Sequence, residues 1–334
     1  MQKLKIPPFT SGGLILSYKC SNVCRHCIYA SSPKWKDWIT EQDLKIFLAQ
    51  IKQFAPHQRG LHLAGGEPFL NFELTLRAVE LCIEYDTSLQ YVETNAFWCE
   101  NDDLTAYQLN LLRESGLPAI LISVSPFHNE FIPFERTDRA INIAREIYGP
   151  YNVLIYTSYF YEQLQDYHPN NRIPFNRYLN TIGHEKAAQS FIMHYGLVPC
   201  GRAVTRLNFL YQKQVAEAFF NNNCLQEITN PEHIHIDPYG NYIASFCAGI
   251  SLGDAHDLGK LFDQSNVGER PLIEILVTSG IEGLLQLAQD QFDYQVLPDG
   301  YIAKCHLCQD IRSHIVRVTD QFEELKPIEF YRNL

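Results

Sequence analysis

The chain has 334 residues, of which 46% are aliphatic, aromatic or cysteine, and a formal net charge of −11. It can bury one large core or two modest ones, and no apolar run approaches the ~20 residues of a membrane helix. The negative balance, without a lysine- or arginine-rich run, disfavours a polyanionic partner such as nucleic acid. The opening stretch lacks the apolar core of a secretory signal, and ten clustered cysteines suit metal or redox chemistry in a reducing compartment, hence a cytoplasmic protein.

Taken in order, the apolar run 13–18 predicts a buried strand, followed at once by Cys20-Ser-Asn-Val-Cys24-Arg-His-Cys27. Thr40 is placed to cap a helix with Asp43 at the third position, and Leu44, Phe47, Leu48 and Ile51 form its apolar face. A second strand, 61–64, ends in Gly65-Gly66-Glu67-Pro68. A helix over about 71–85 follows, with Phe72, Leu76, Val79 and Ile83 as its buried stripe and Cys82 as a packing thiol. Strands over 88–93, 119–124 and 152–158 alternate with helices over 102–114 and about 137–148. A weaker helix near 175–188 and a sixth strand over 189–195 complete the series. This alternation predicts an α/β fold with a parallel sheet and crossover helices. The loops after its strands would bring the cysteines, Gly65–Pro68, Thr94-Asn95 and Ser123–His128 to one face.

After residue 200 the rhythm changes. The stretch 233–246 reads as a β-hairpin around Pro238-Tyr-Gly240, with His233 and His235 on one half-solvated face. Cys224, Cys247, Cys305 and Cys308 make a set of four thiols that could close a tetrahedral or cubane site. Cys200 is a rival for the place of Cys224, and Cys99 fits no ligand spacing.

Three thiolates cannot saturate a cubane cluster, so the first loop would leave one iron open. A zinc knuckle is the competing reading of Cys-x2-Cys. Two glycines and a carboxylate after the second strand would let backbone approach a bound amino acid and grip its ammonium. Together, C-x3-C-x2-C after the first strand and Gly-Gly-Glu-Pro after the second closely resemble the radical S-adenosylmethionine (SAM) superfamily. His26 stands where that family usually has another aromatic residue.

The resemblance implies a partial (β/α)6 TIM-like barrel over 11–200. It also implies a [4Fe–4S] cluster on Cys20, Cys24 and Cys27, with SAM on its open iron and against Gly65, Gly66, Glu67 and Pro68. Asn95, Ser123 and Ser125 become candidates for cofactor or substrate contacts, and His128 a candidate acid or base. Residues 201–334 resemble the small α+β SPASM and twitch extensions, which implies an auxiliary [4Fe–4S] cluster, although six residues rather than four separate Gly240 from Cys247.

The expected activity is reductive cleavage of SAM to a 5′-deoxyadenosyl radical, then oxidative modification of a peptide or small metabolite. An external donor such as flavodoxin or ferredoxin would supply the electron. A radical SAM methyltransferase or isomerase is the alternative within enzymes, and a zinc-stapled, non-catalytic binding protein the alternative outside them.

Overall fold

The computed structural model describes residues 4–166, 171–263 and 270–334. Its centre is a seven-stranded sheet built from β1 (Ser11–Ile15), β2 (Gly60–Ala64), β3 (Leu89–Thr94), β4 (Ala119–Ser123), β5 (Val153–Tyr156), β6 (Ile234–Ile236) and β7 (Tyr242–Ile243). The strands lie in the order β5-β4-β3-β2-β1-β6-β7. The first five pair in parallel, as the strand–helix alternation predicts, and β2 is buried along its whole length as a parallel strand covered on both faces should be.

Thr40 caps the helix Glu41–Phe54 by accepting from Asp43 N at 3.0 Å, and Leu44, Phe47, Leu48 and Ile51 are its buried face, as the spacing requires. The helix Phe72–Glu84 is rotated from the expected stripe. Thr75, Ala78, Val79, Leu81 and Cys82 face the core, while Ile83 is exposed. The small Thr75, Ala78 and Cys82 let that face lie close to the sheet, and hydrophobicity alone had favoured the larger residues.

The strand expected at 189–195 is not there. Gly183, at φ +88°, ends one helix (Phe175–Ile182) and opens another, His184–Met193. Ala187, Ala188 and Phe191 sit at helical spacing in the core, with Phe191 packed on Phe127 and Phe175. The sixth parallel strand comes instead from the predicted hairpin. β6 pairs parallel to β1 (Gly13↔His235), and β7 returns antiparallel to it. The expected hairpin is thus present, and it extends the first sheet at the β1 edge.

One large core joins the helices around the sheet to the helices Pro271–Thr278, Gly280–Phe292 and Lys304–Val318. A smaller core of Ile15, Tyr18, Tyr29, Trp35, Ile243 and Phe330 fastens the chain's last helix (Ile328–Arg332) beneath the first loop. Inward-facing residues of β3 to β6 line one cavity of about 410 Å³, so the sheet curves as an open, partial barrel. None of the described helices is long and apolar enough to cross a membrane.

Candidate functional site

The cavity reaches from the first cysteine loop down the inner face of the sheet, and Cys20, Cys24 and Cys27 all line its outer end. Cys20 and Cys24 are buried, and Cys27 is half-buried. Burial pushes the Cys20 thiol up to about 12, helped by the Glu67 carboxylate and by Cys27. Burial likewise raises Cys24, with Cys20 and Cys27 adding to it. Thiols this close resist ionising together unless a cation joins them.

The groups around them are donors. Asn22 N lies 3.4 Å and Asn95 Nδ2 3.6 Å from the Cys20 sulfur. Arg202 is buried against the loop, with Nε donating to Cys24 O at 2.9 Å, Nη2 to Ser31 O at 2.6 Å and its backbone N to Cys27 O at 3.0 Å. Its Nη1 and His26 Nδ1 are buried without a hydrogen-bond partner, and the Asn22 side chain faces Cys24. Orphaned donors beside converging thiols fit a group that brings metal charge and sulfur acceptors, as an iron–sulfur cluster does. A single small ion has a competing set in Cys24, His26 and His128, whose ligand atoms lie within 4.8 Å of one another.

Gly65, Gly66 and Pro68 form the adjoining wall. A Cβ on Gly66 would stand 2.1 Å from Lys19 O, so only glycine lets this loop press on the residues that launch the cysteine loop. Gly66 N donates to Ser17 O at 2.7 Å and Glu67 N to Lys19 O at 2.9 Å. The Glu67 side chain is buried behind that wall. It accepts from Phe69 N (3.2 Å), Thr94 Oγ1 (2.8 Å) and Asn95 N (2.7 Å), and so ties the glycine loop to the end of β3. Burial still pushes its carboxyl up to about 7.

Asn95, Ser123 and His128 also line the cavity, whereas Ser125 acts through His128, its Oγ 2.8 Å from His128 Nδ1. Burial drives His128 down to about 4, so the ring is neutral. His26, at the family's aromatic position, meets Tyr195 OH through Nε2 at 2.7 Å and packs on Phe127.

The inner end of the cavity was not foreseen. His235 is buried rather than half-solvated, and His233 lines the cavity beside it. Gly13 has no side chain, and over it the imidazoles of β2 and β6 meet, His62 Nε2 to His235 Nε2 at 3.1 Å. Tyr29 OH holds His235 Nδ1 at 2.8 Å, and Glu93 Oε1 stands 3.6 Å from His62 Nε2. Burial lowers His62 to about 3, and His235 falls well below the usual imidazole range for the same reason. A polar residue inside an otherwise apolar buried strand, as in Leu61-His-Leu63, was the signal available beforehand.

The C-terminal thiols form a second neighbourhood, although no three of them gather as a metal-ligand set among the described residues. Burial is the main cause of every rise among them, and the thiols also raise one another: Cys200 through Cys305 and Cys247, Cys224 (to about 12) through Cys308, Cys247 through Cys305 and Cys308, and Cys305 (to about 11) through Cys308. Arg312 is buried beside them; burial opposes its charge, but Tyr331, Cys308 and Cys247 more than offset that. Both Cys200 and Cys224 therefore belong to the neighbourhood. Cys82 and Cys99 are fully buried in the core.

No curated protein matches the chain. Among solved structures, "Crystal structure of BtrN in complex with AdoMet and 2-DOIA" shares 15% identity, covering 83% of this chain and 90% of that one at a TM-score of 0.45. "Native anSMEcpe with bound AdoMet" shares 14% identity, covering 97% and 95% respectively, at a TM-score of 0.46. The family described as the Radical SAM superfamily matches residues 14–167, which span the end of β1, the cysteine loop, Gly65–Pro68 and the strands β2–β5. Residues 14–167 are thus a domain of the radical SAM superfamily.

Proposed function

We propose that the chain is a radical SAM enzyme carrying out an oxidative modification of a peptide or small metabolite. The observation that carries this reading is three thiols, two buried and one half-buried, at one end of a cavity, next to a glycine wall and beside donors that lack acceptors. A [4Fe–4S] cluster and SAM, when bound, supply reductive cleavage to methionine and a 5′-deoxyadenosyl radical.

The protein's part is to hold and shield. Cys20, Cys24 and Cys27 ligate the cluster, and Arg202 fixes the loop and places positive charge beside it. Gly65 and Gly66 offer backbone to the methionine end of SAM, with Glu67 setting the position of that loop from behind. Asn95 and Ser123 contact SAM or substrate. The low pKa of His128 keeps it an acceptor at neutral pH. Cys224, Cys247, Cys305 and Cys308 would hold an auxiliary [4Fe–4S] cluster, whose chemistry is one-electron transfer.

Anaerobic reconstitution followed by incubation with SAM and dithionite tests the reading. Methionine and 5′-deoxyadenosine are expected, with about eight irons per chain. S-adenosylhomocysteine would mark a methyltransferase, and an isomerase would return an unoxidised product. Bound zinc without iron would leave a stapled, non-catalytic protein.

A further inference from the structure

The inner end of the cavity presents a carboxylate that no described residue supplies with a donor. Glu93, near the end of β3, lines the cavity with its side chain 34% exposed there. No described residue donates a hydrogen bond to it, and no described lysine or arginine pairs with it. Three of the hydroxyls nearby are committed elsewhere: Tyr29 to His235, Tyr156 to Tyr195 O, and Tyr195 to His26. His62, 3.6 Å away, is held neutral by burial.

Tyr29, Tyr91, Tyr156 and Tyr195 line the same cavity as Glu93. Burial pushes the Glu93 carboxyl up to about 7. A desolvated carboxylate in such surroundings is costly alone and strongly stabilised by a cation, and tyrosine faces attract the same cation.

We propose that Glu93 anchors a cationic group of the substrate, an ammonium or guanidinium, with the rings of Tyr91 and Tyr156 beside it. The inference takes from the reading above only that substrate and SAM share this cavity. SAM has an ammonium of its own, so the test separates the two sources.

Calorimetry on the reconstituted, unreduced protein saturated with SAM would compare butylamine and butylguanidine with butanol. The amines should bind about tenfold or more tightly than the alcohol, as a charge-assisted contact allows. Glu93→Gln should abolish that preference while changing SAM affinity by less than about twofold. Equal binding of amine and alcohol by the wild-type protein overturns the proposal, and this arm needs no variant. So does an amine preference that appears only when SAM is left out, or a Glu93→Gln protein that loses SAM and keeps its amine preference; either would give Glu93 to SAM itself. SAM cleavage is read in a separate assay, so failure here leaves the radical SAM reading standing.

Discussion

The chain brings cysteines into one neighbourhood twice, by opposite means. Cys20, Cys24 and Cys27 lie within one eight-residue loop, and their convergence is nearly assured by local geometry. The second group comes from four separate places: Cys200 in a turn, Cys224 at the start of the helix Leu225–Thr229, Cys247 after β7, and Cys305 and Cys308 within the helix Lys304–Val318. That neighbourhood depends on how those elements pack. The two regions also touch: Arg202 N donates to Cys27 O at 3.0 Å, while Gly201 exchanges hydrogen bonds with Gln309 at 2.6 and 2.9 Å. The lesson is that a site encoded locally needs only its own loop to form, whereas one assembled by packing depends on several distant segments being held together.

The sharpest test of that contrast is to remove one thiol from each region. Cys24→Ala should lose about four irons per chain and bring SAM cleavage to background. Cys224→Ala should also lose about four irons but keep the first cluster's spectroscopic signature, with Cys200→Ala keeping both. Iron analysis with electron paramagnetic resonance reads all three. Should Cys200→Ala lose the iron instead, the fourth ligand moves to Cys200.

The histidine floor is also assembled by packing, and Gly13 is its weakest point. A Cβ there would stand 2.4 Å from His62 Nε2 in a buried site. Gly13→Ala should destabilise the fold by about 1–3 kcal/mol, as overpacking does, measured by denaturant unfolding. A cost near zero would mean that the two imidazoles do not meet over this glycine.

A smaller effect lies in pH. His62 is lowered from 6.5 to about 3 on folding, so the unfolded chain binds the extra proton between those values and stability is lost as pH falls. Between pH 6.5 and about 5 the wild type should lose about 2 kcal/mol more than His62→Gln. Glu93 titrates in the opposite sense, being raised to about 7 by burial, and His233, His235 and Tyr91 also face the ring. The difference between the two proteins, rather than either curve, isolates His62. Parallel curves would contradict a neutral, buried imidazole.

How much was legible beforehand follows from the range of the interactions involved. The five strands β1–β5, the Thr40 cap and the hairpin could be read because apolar periodicity and capping act over a few residues. The helix at 189–193 could not, since Gln189–Tyr195 suits a strand as well as a helix until Phe191 is seen against Phe127 and Phe175. Glu67 was legible as important, but its partners Thr94 and Asn95 belong to another strand.

By itself the sequence determined the α/β alternation, the three-thiol loop and the glycine wall, because each is held within a short stretch of chain. Only the tertiary structure decided that the sixth parallel strand comes from the C-terminal hairpin, that Arg202 braces the cysteine loop, and that Glu93, His233 and His235 share one cavity. These relations join residues separated by up to 222 positions, as between Ser11 and His233. No local preference specifies them; they arise when burying the apolar faces of sheet and helices brings the distant strands into register.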